Sequence, residues 1–168
     1  MIFSVENYEQ VAKAFIKGLE RRAAEDKPVD HIASVASFFV SRVDSMIDTD
    51  LEYRARHSSS PIEKARSESL CARAALANAK LAYARFKEIF YGARFAGLRA
   101  KGAQVPADSC GPRPEPRIPK YSDVLYLDNL IGPDAVNTVP PAHLHRLPRP
   151  WQSGARRSQR VWQKVARK

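Results

Sequence analysis

Apolar positions along this chain change period several times, and each change marks an element. Tyr8, Val11, Ala12, Phe15 and Leu19 recur at helical spacing and predict an amphipathic helix. Ser4 is placed to cap it, Glu6 and Glu9 suit its positive end, and Lys27-Pro28 ends it. The stretch Asp30 to Asp44 then alternates. Ala33, Val35, Ser37 and Phe39 fall on one side of a period-two backbone, and Ile32, Ser34, Ala36 and Phe38 on the other. Neither set is charged, so the strand is expected to be covered on both sides, as in parallel sheets flanked by helices. Met1-Ile2-Phe3-Ser4 reads as the end of an earlier strand, which makes a strand-helix-strand unit with the short loops of parallel pairs.

Val43, Met46, Ile47 and Leu51 predict a second helix, broken at Ser58-Ser59-Ser60-Pro61. Ile62 to Tyr91 contains neither Gly nor Pro and is rich in alanine, which predicts one long helix. Its expected buried stripe is Leu70, Ala74, Ala77, Leu81, Ala84, Phe86, Ile89 and Phe90, with Gly92 placed as its stop. Phe95, Leu98 and Ala100 suggest a short amphipathic turn, and Gly102 to Val105 a further strand. Pro106 to Pro119 holds five prolines, a composition incompatible with a central strand or a helix. Tyr121 to Gly132 reads as a short helix and Ala135 to Val139 as a strand closed by Pro140-Pro141. From His143 onward no period persists. The expected organisation is a partial α/β body over 1–105, a Pro-rich irregular segment over 106–118, a last helix and strand over 119–142, and a basic disordered tail over 143–168.

Length and charge alter this picture only modestly. A chain of 168 residues can bury one ordinary core. Its 28 Lys and Arg against 18 Asp and Glu give a formal charge of +10, which raises nucleic acid or an acidic membrane as a partner. The excess is concentrated in the tail: no acidic residue follows Asp134, whereas Arg146, Arg149, Arg156, Arg157, Arg160, Lys164, Arg167 and Lys168 do. A nucleic-acid role would use that tail, with Trp151 and Trp162 as stacking groups; solvated charge runs are the commoner case. Two cysteines, Cys71 and Cys110, are too few for a disulfide framework or a metal motif. No apolar run approaches a bilayer span, and the expected setting is the cytoplasm.

The residues that carry chemistry lie at the end of the alternating strand. Arg42 arrives just past its carboxyl end, where α/β folds place ligand contacts. Ser37 and Phe39 share a face by alternation, and a guanidinium offers planar, bidentate hydrogen bonding to phosphate. The competing reading pairs Arg42 with Asp44 or another helix carboxylate and leaves Ser37 as a small filler.

Five blocks, taken together and in order, resemble bacterial transaldolases: Phe3 to Tyr8, Ala33 to Asp44, Ala77 to Tyr83, Tyr121 to Tyr126, and Val136 to Pro141. The resemblance covers about residues 2–105 and 119–142. It implies an incomplete (β/α)8 TIM-type barrel, second half only and helix-rich. It also implies an enzyme family of the pentose phosphate pathway that uses no cofactor. Such transferases move a dihydroxyacetone unit from sedoheptulose 7-phosphate to glyceraldehyde 3-phosphate through a lysine Schiff base. The family's serine, phenylalanine and arginine match Ser37, Phe39 and Arg42, so the resemblance makes Ser37 and Arg42 substrate ligands, Arg42 chiefly for phosphate, and Phe39 a wall of the pocket.

The catalytic lysine has no counterpart. A Schiff-base amine must be held neutral in a desolvated pocket on a strand. Lys13, Lys17, Lys80 and Lys87 fall in predicted helices, Lys27 and Lys120 in loops, and Lys101 beside Gly102. In the family this lysine lies on the strand before the one that ends at Phe3. The chain is therefore expected to be inactive alone, or to be a half-barrel subunit completed by another chain that carries the lysine; a homo-oligomer is the other expected association. Cys110 to Pro119 also stands where the family carries Leu-Trp-Ala-Ser-Thr-Gly-Thr-Lys-Asn-Pro. Plausible codons for that segment, read one nucleotide out of register, give the residues found here, and the tail after Ala142 fits a second slip.

Overall fold

The first helix forms where its cap and its apolar stripe agree. In the computed structural model, which describes residues 2–111, 121, 125–130 and 132–136, α1 spans Val5–Ala24. The Ser4 hydroxyl accepts from the Asn7 N–H at 3.2 Å, Glu6 lies in the first turn, and Arg21 and Arg22 lie in the last. Its buried side is Tyr8, Ala12, Ile16, Leu19 and Ala23. Val11, expected on that side, is exposed, and Ile16 takes its place in the core. Strand β1 (Val35–Phe39) follows, then α2 (Ser41–His57), α3 (Pro61–Leu70), α4 (Ala74–Phe90), α5 (Ala93–Ala100), β2 (Ala107–Gly111) and α6 (Leu125–Leu130).

Strand β1 is the middle of the sheet. Ile2 bridges Phe38 in parallel on one side, with the Ile2 N–H donating to the Ser37 carbonyl at 2.9 Å and the Phe39 N–H to the Ile2 carbonyl at 2.7 Å. On the other side β2 pairs with it in parallel, from Val35 opposite Ala107 to Phe39 opposite Gly111. Consecutive strands are thus adjacent and parallel, with helices between them, the arrangement of parallel α/β folds.

Its two faces differ sharply, contrary to the expectation of cover on both. Phe38 is 0 % exposed and meets Tyr8 edge-on at 6.5 Å, whereas Val35 is 60 % exposed and Ser37 is also open to solvent. Among the described residues the helices pack on the Phe38 side of the sheet. Their core is centred on α4, whose small residues Ala75, Ala79 and Ala82 pack closely before Tyr83, Phe86 and Phe90 enlarge the contact. Phe86 stacks on Tyr83 at 5.8 Å and meets Phe90 at 5.4 Å, and Phe90 meets Phe95 of α5 edge-on at 5.1 Å.

Four more expectations need correction. The single helix over Ile62 to Tyr91 is two, split at Cys71-Ala72-Arg73, where Ala72 takes φ 62°. Asp48 and Asp44 of α2 accept the N–H groups of Ala72 and Ala75, and these tertiary bonds replace the intrahelical ones that continuation would have made. The buried stripe is correspondingly rotated: Ala77 and Leu81 face outward. Gly92 does follow α4, but at φ −78°. A glycine is needed because a Cβ there would stand 2.5 Å from the Glu88 carbonyl oxygen. Gly102 to Val105 is irregular, and the strand lies one step later at Ala107–Gly111. The segment 106–118 is therefore not irregular throughout. Five residues between Pro106 and Pro112 carry every N–H the ladder requires.

The second half of the chain is anchored through α4. The Tyr83 hydroxyl donates to the Pro133 carbonyl at 2.7 Å, Tyr91 donates to Asp134 at 2.9 Å, and Lys87 pairs with the same carboxylate. Tyr126 and Leu130 of α6 enter the core. The predicted strand over Ala135 to Val139 extends past the described residues, and the basic tail over 143–168 lies outside them.

Candidate functional site

Alternation places Ser37 and Phe39 on the open face of β1, beside Val35. Phe39 is half-buried because its ring leans on Phe3, with centroids 5.5 Å apart and planes at 45°. Phe3 is held in turn: Asn78 of α4 donates through Nδ2 to the Phe3 carbonyl at 2.8 Å. The backbone of Ser37 is used by the ladder, so the side chain is what this residue offers to a ligand.

Arg42 is the second residue of α2, one short step beyond the carboxyl end of β1, and is exposed. Among the described residues no carboxylate pairs with it. Asp44, the partner proposed in the competing reading, is buried and occupied elsewhere. Val40 leaves the start of α2 without a side-chain cap, and the positive end of that helix dipole adds to the guanidinium charge. The region of the β1–α2 junction thus offers a hydroxyl, an aromatic wall, a cation and a helix N-terminus, a set suited to an anionic polyol.

Behind Arg42, α2 buries an acidic face that the sequence reading missed. Asp44 is 0 % and Asp48 1 % exposed. Asp44 accepts the Ala75 N–H at 2.9 Å on Oδ1 and the Tyr126 hydroxyl at 2.8 Å on Oδ2. Asp48 repeats the pattern with the Ala72 N–H at 3.0 Å and the Tyr121 hydroxyl at 2.8 Å. Burial pushes the Asp44 carboxyl above the ordinary carboxylate range; its two hydrogen bonds oppose this, and the neighbouring Asp48 charge adds to it. Burial, and then the bond to an aspartate, raise the Tyr121 and Tyr126 hydroxyls, which remain neutral donors. The signal available in the sequence was the four-residue spacing of Asp44 and Asp48. It competed with Val43, Met46, Ile47 and Leu51, and Met46 proves 76 % exposed.

Described lysines occupy helices or loops. Lys13 and Lys17 are in α1, Lys64 in α3, Lys80 and Lys87 in α4, Lys27 follows α1 and Lys101 follows α5; Lys120, Lys164 and Lys168 lie outside the described residues. Burial lowers the pKa of Lys80, but that side chain stands on α4 rather than on a strand. A cavity of about 520 Å³ opens between α2 and α3, lined among others by Arg56, Lys64, Glu52, Glu68 and Tyr121. Its opposed charges give it no net character, and none of Ser37, Phe39 or Arg42 lines it. Among the described residues no group of three or more His, Cys, Asp or Glu could hold a metal ion. Nor, among them, is any helix long and apolar enough to cross a membrane.

Parallel strands alternating with helices, with polar groups at the carboxyl end of the middle strand, define an α/β protein. The profile of the transaldolase/fructose-6-phosphate aldolase family matches residues 1–166. The chain is 45 % identical over 141 residues to a transaldolase of Trichodesmium erythraeum, covering 84 % of this chain and 37 % of that protein. It is 44 % identical over 143 residues to transaldolase 2 of Nostoc punctiforme, with the same coverage. With a transaldolase of Saccharopolyspora erythraea it shares 43 % over 144 residues, 86 % of this chain and 36 % of that one. The chain belongs to the transaldolase/fructose-6-phosphate aldolase family, which implies a TIM-barrel-type α/β fold. It spans little more than a third of the length of these relatives.

Proposed function

We propose that this chain forms the sugar-phosphate-holding wall of a transaldolase barrel. In this reading the phosphate of a ketose or aldose phosphate sits against Arg42 and the amino end of α2, where two parallel N–H···O bonds and the helix dipole favour a dianion. Ser37 hydrogen-bonds a sugar hydroxyl, and Phe39, backed by Phe3, gives the carbon chain an apolar wall that excludes water. The observation carrying this reading is the open face of β1, with Ser37 and Phe39 on it and Arg42 following at its end without a carboxylate partner among the described residues.

The reaction assigned is transfer of a dihydroxyacetone unit from sedoheptulose 7-phosphate to glyceraldehyde 3-phosphate in the cytoplasm, as part of the pentose phosphate pathway. Its covalent step needs a neutral lysine in a desolvated strand position. The described lysines lie in α1, α3 and α4 or, as Lys27 and Lys101, just past helix ends, which is the wrong kind of element. We therefore assign the amine to a segment other than these 168 residues, whether joined to them or carried by a complementary chain. An incomplete barrel leaves one sheet face bare and its outer parallel edges unpaired, and both favour association. The 168-residue chain alone binds sugar phosphate and does not turn it over.

Titration of the chain with glyceraldehyde 3-phosphate, followed by phosphorus NMR, tests the binding half of this reading. A charged, bidentate contact is worth about 1.5–3 kcal/mol, so Arg42→Ala is expected to weaken binding by about tenfold or more. Equal affinity of the two proteins would overturn the assignment of Arg42.

A further inference from the structure

Helix α2 is packed in an unusual way. Its buried residues are Ser41, Asp44, Asp48 and Ala55, so no large apolar side chain of this helix is fully buried to fix its rotation. Successive residues turn by about 100°, which brings Asp44 and Asp48 within about 40° of each other and puts Arg42 about 200° from Asp44. What holds the acidic side is directional: four hydrogen bonds, one from the N–H of Ala72 in the α3–α4 break, one from the N–H of Ala75 at the start of α4, and two from the hydroxyls of Tyr121 and Tyr126. Apolar packing tolerates sliding and small rotations, whereas a carboxylate with both oxygens committed does not. A helix with its side chains is about 10–12 Å across, so a rotation of about 20° displaces a group at its rim by roughly 2 Å, more than an oriented contact with phosphate survives.

We infer that Asp44 and Asp48, together with Tyr126 and Tyr121, are positioning residues that set the rotation of α2 and thereby aim Arg42 at its anion. This inference rests on the reading of Arg42 as the phosphate ligand. The Tyr126 bond also makes the anion site depend on the docking of α6, a segment 82 residues further along the chain.

The test measures affinity of the full chain for inorganic phosphate by phosphorus NMR, with thermal unfolding recorded for each variant. Asp44→Leu is expected to weaken phosphate binding about tenfold. Asp44→Asn keeps an acceptor for Ala75 and can donate to the Tyr126 oxygen, so it should bind within about twofold of wild type. In an Arg42→Ala background, Asp44→Leu should have no further effect on affinity, a coupling that general loosening of the fold would not give. Should Asp44→Leu fail to fold, Tyr126→Phe decides, since it leaves the bonds from the Ala72 and Ala75 N–H groups in place; a loss of about threefold or more is expected. Wild-type affinity in Asp44→Leu, or in Tyr126→Phe where that variant decides, overturns the inference if Arg42→Ala has lost binding. If Arg42→Ala itself binds like wild type, the reading of Arg42 is what fails, and the positioning role falls with it.

Discussion

The two faces of β1 should answer very differently to truncation. Phe38 is fully buried, packed against Tyr8, and Phe38→Ala removes a whole ring from a site the surrounding helices cannot close. Large-to-small changes of this kind cost about 3–5 kcal/mol, against a total stability of about 5–15 kcal/mol for a domain. Val35, three residues earlier on the opposite face, is 60 % exposed. Val35→Ala deletes two carbon groups, each worth about 0.8 kcal/mol when fully buried. Scaled by the buried share, the cost is about 0.6 kcal/mol, and in a closed barrel it would exceed twice that. Urea unfolding at room temperature, followed by far-ultraviolet circular dichroism at several protein concentrations, measures both. A loss at Val35 above about 2 kcal/mol at the lowest concentration would refute the bare face. A loss that grows with concentration would mean that a second copy covers it.

Glycine replacements should separate close approach from helix propensity. Gly92→Ala puts a Cβ against the Glu88 carbonyl and should cost about 1–3 kcal/mol, while Gly97→Ala, within α5 and with nothing nearby, should stabilise by about 0.5–1 kcal/mol; the same urea assay reads both. The raised Asp44 carboxyl has a signed consequence for pH. Because burial lifts its folded value, the native chain holds this proton above the pH at which the unfolded chain releases it, so this group's contribution to stability falls as pH rises through that window. Asp44→Asn has no such proton, and its midpoint should gain on wild type between acid and neutral pH; a difference constant with pH would contradict this.

Most of the element order was legible because the local signals agreed with the tertiary structure. Ser4 capped α1, the break at Ser58 to Pro61 followed α2, and the alternation from Val35 to Phe39 formed the middle strand. Failures came where a distant partner decided. Nothing within Ile62 to Tyr91 breaks a helix; the break at Ala72 is imposed by carboxylates from α2. Alanine carries little orientational information, so the buried side of α4 could not be told from its neighbours until Phe86 and Phe90 were placed in the core. Prolines flanking Ala107–Gly111 masked a strand of small and polar residues, whose pairing is made by β1. The placement of Ser37, Phe39 and Arg42 on and after β1 was readable because strand alternation and a strand-end position are local properties. The buried acidic side of α2 was not, since two aspartates four apart ordinarily mark a solvated face.

The central claim is that these 168 residues can hold a sugar phosphate yet carry no amine able to form the covalent adduct. Incubating the purified chain with fructose 6-phosphate, reducing with borohydride and weighing the intact protein tests it most directly. The account predicts an unchanged mass for the chain alone, and a stable mass increase of one dihydroxyacetone unit on a complementary chain when one is supplied. The same increase on the isolated chain, mapped to one of its own lysines, would contradict it.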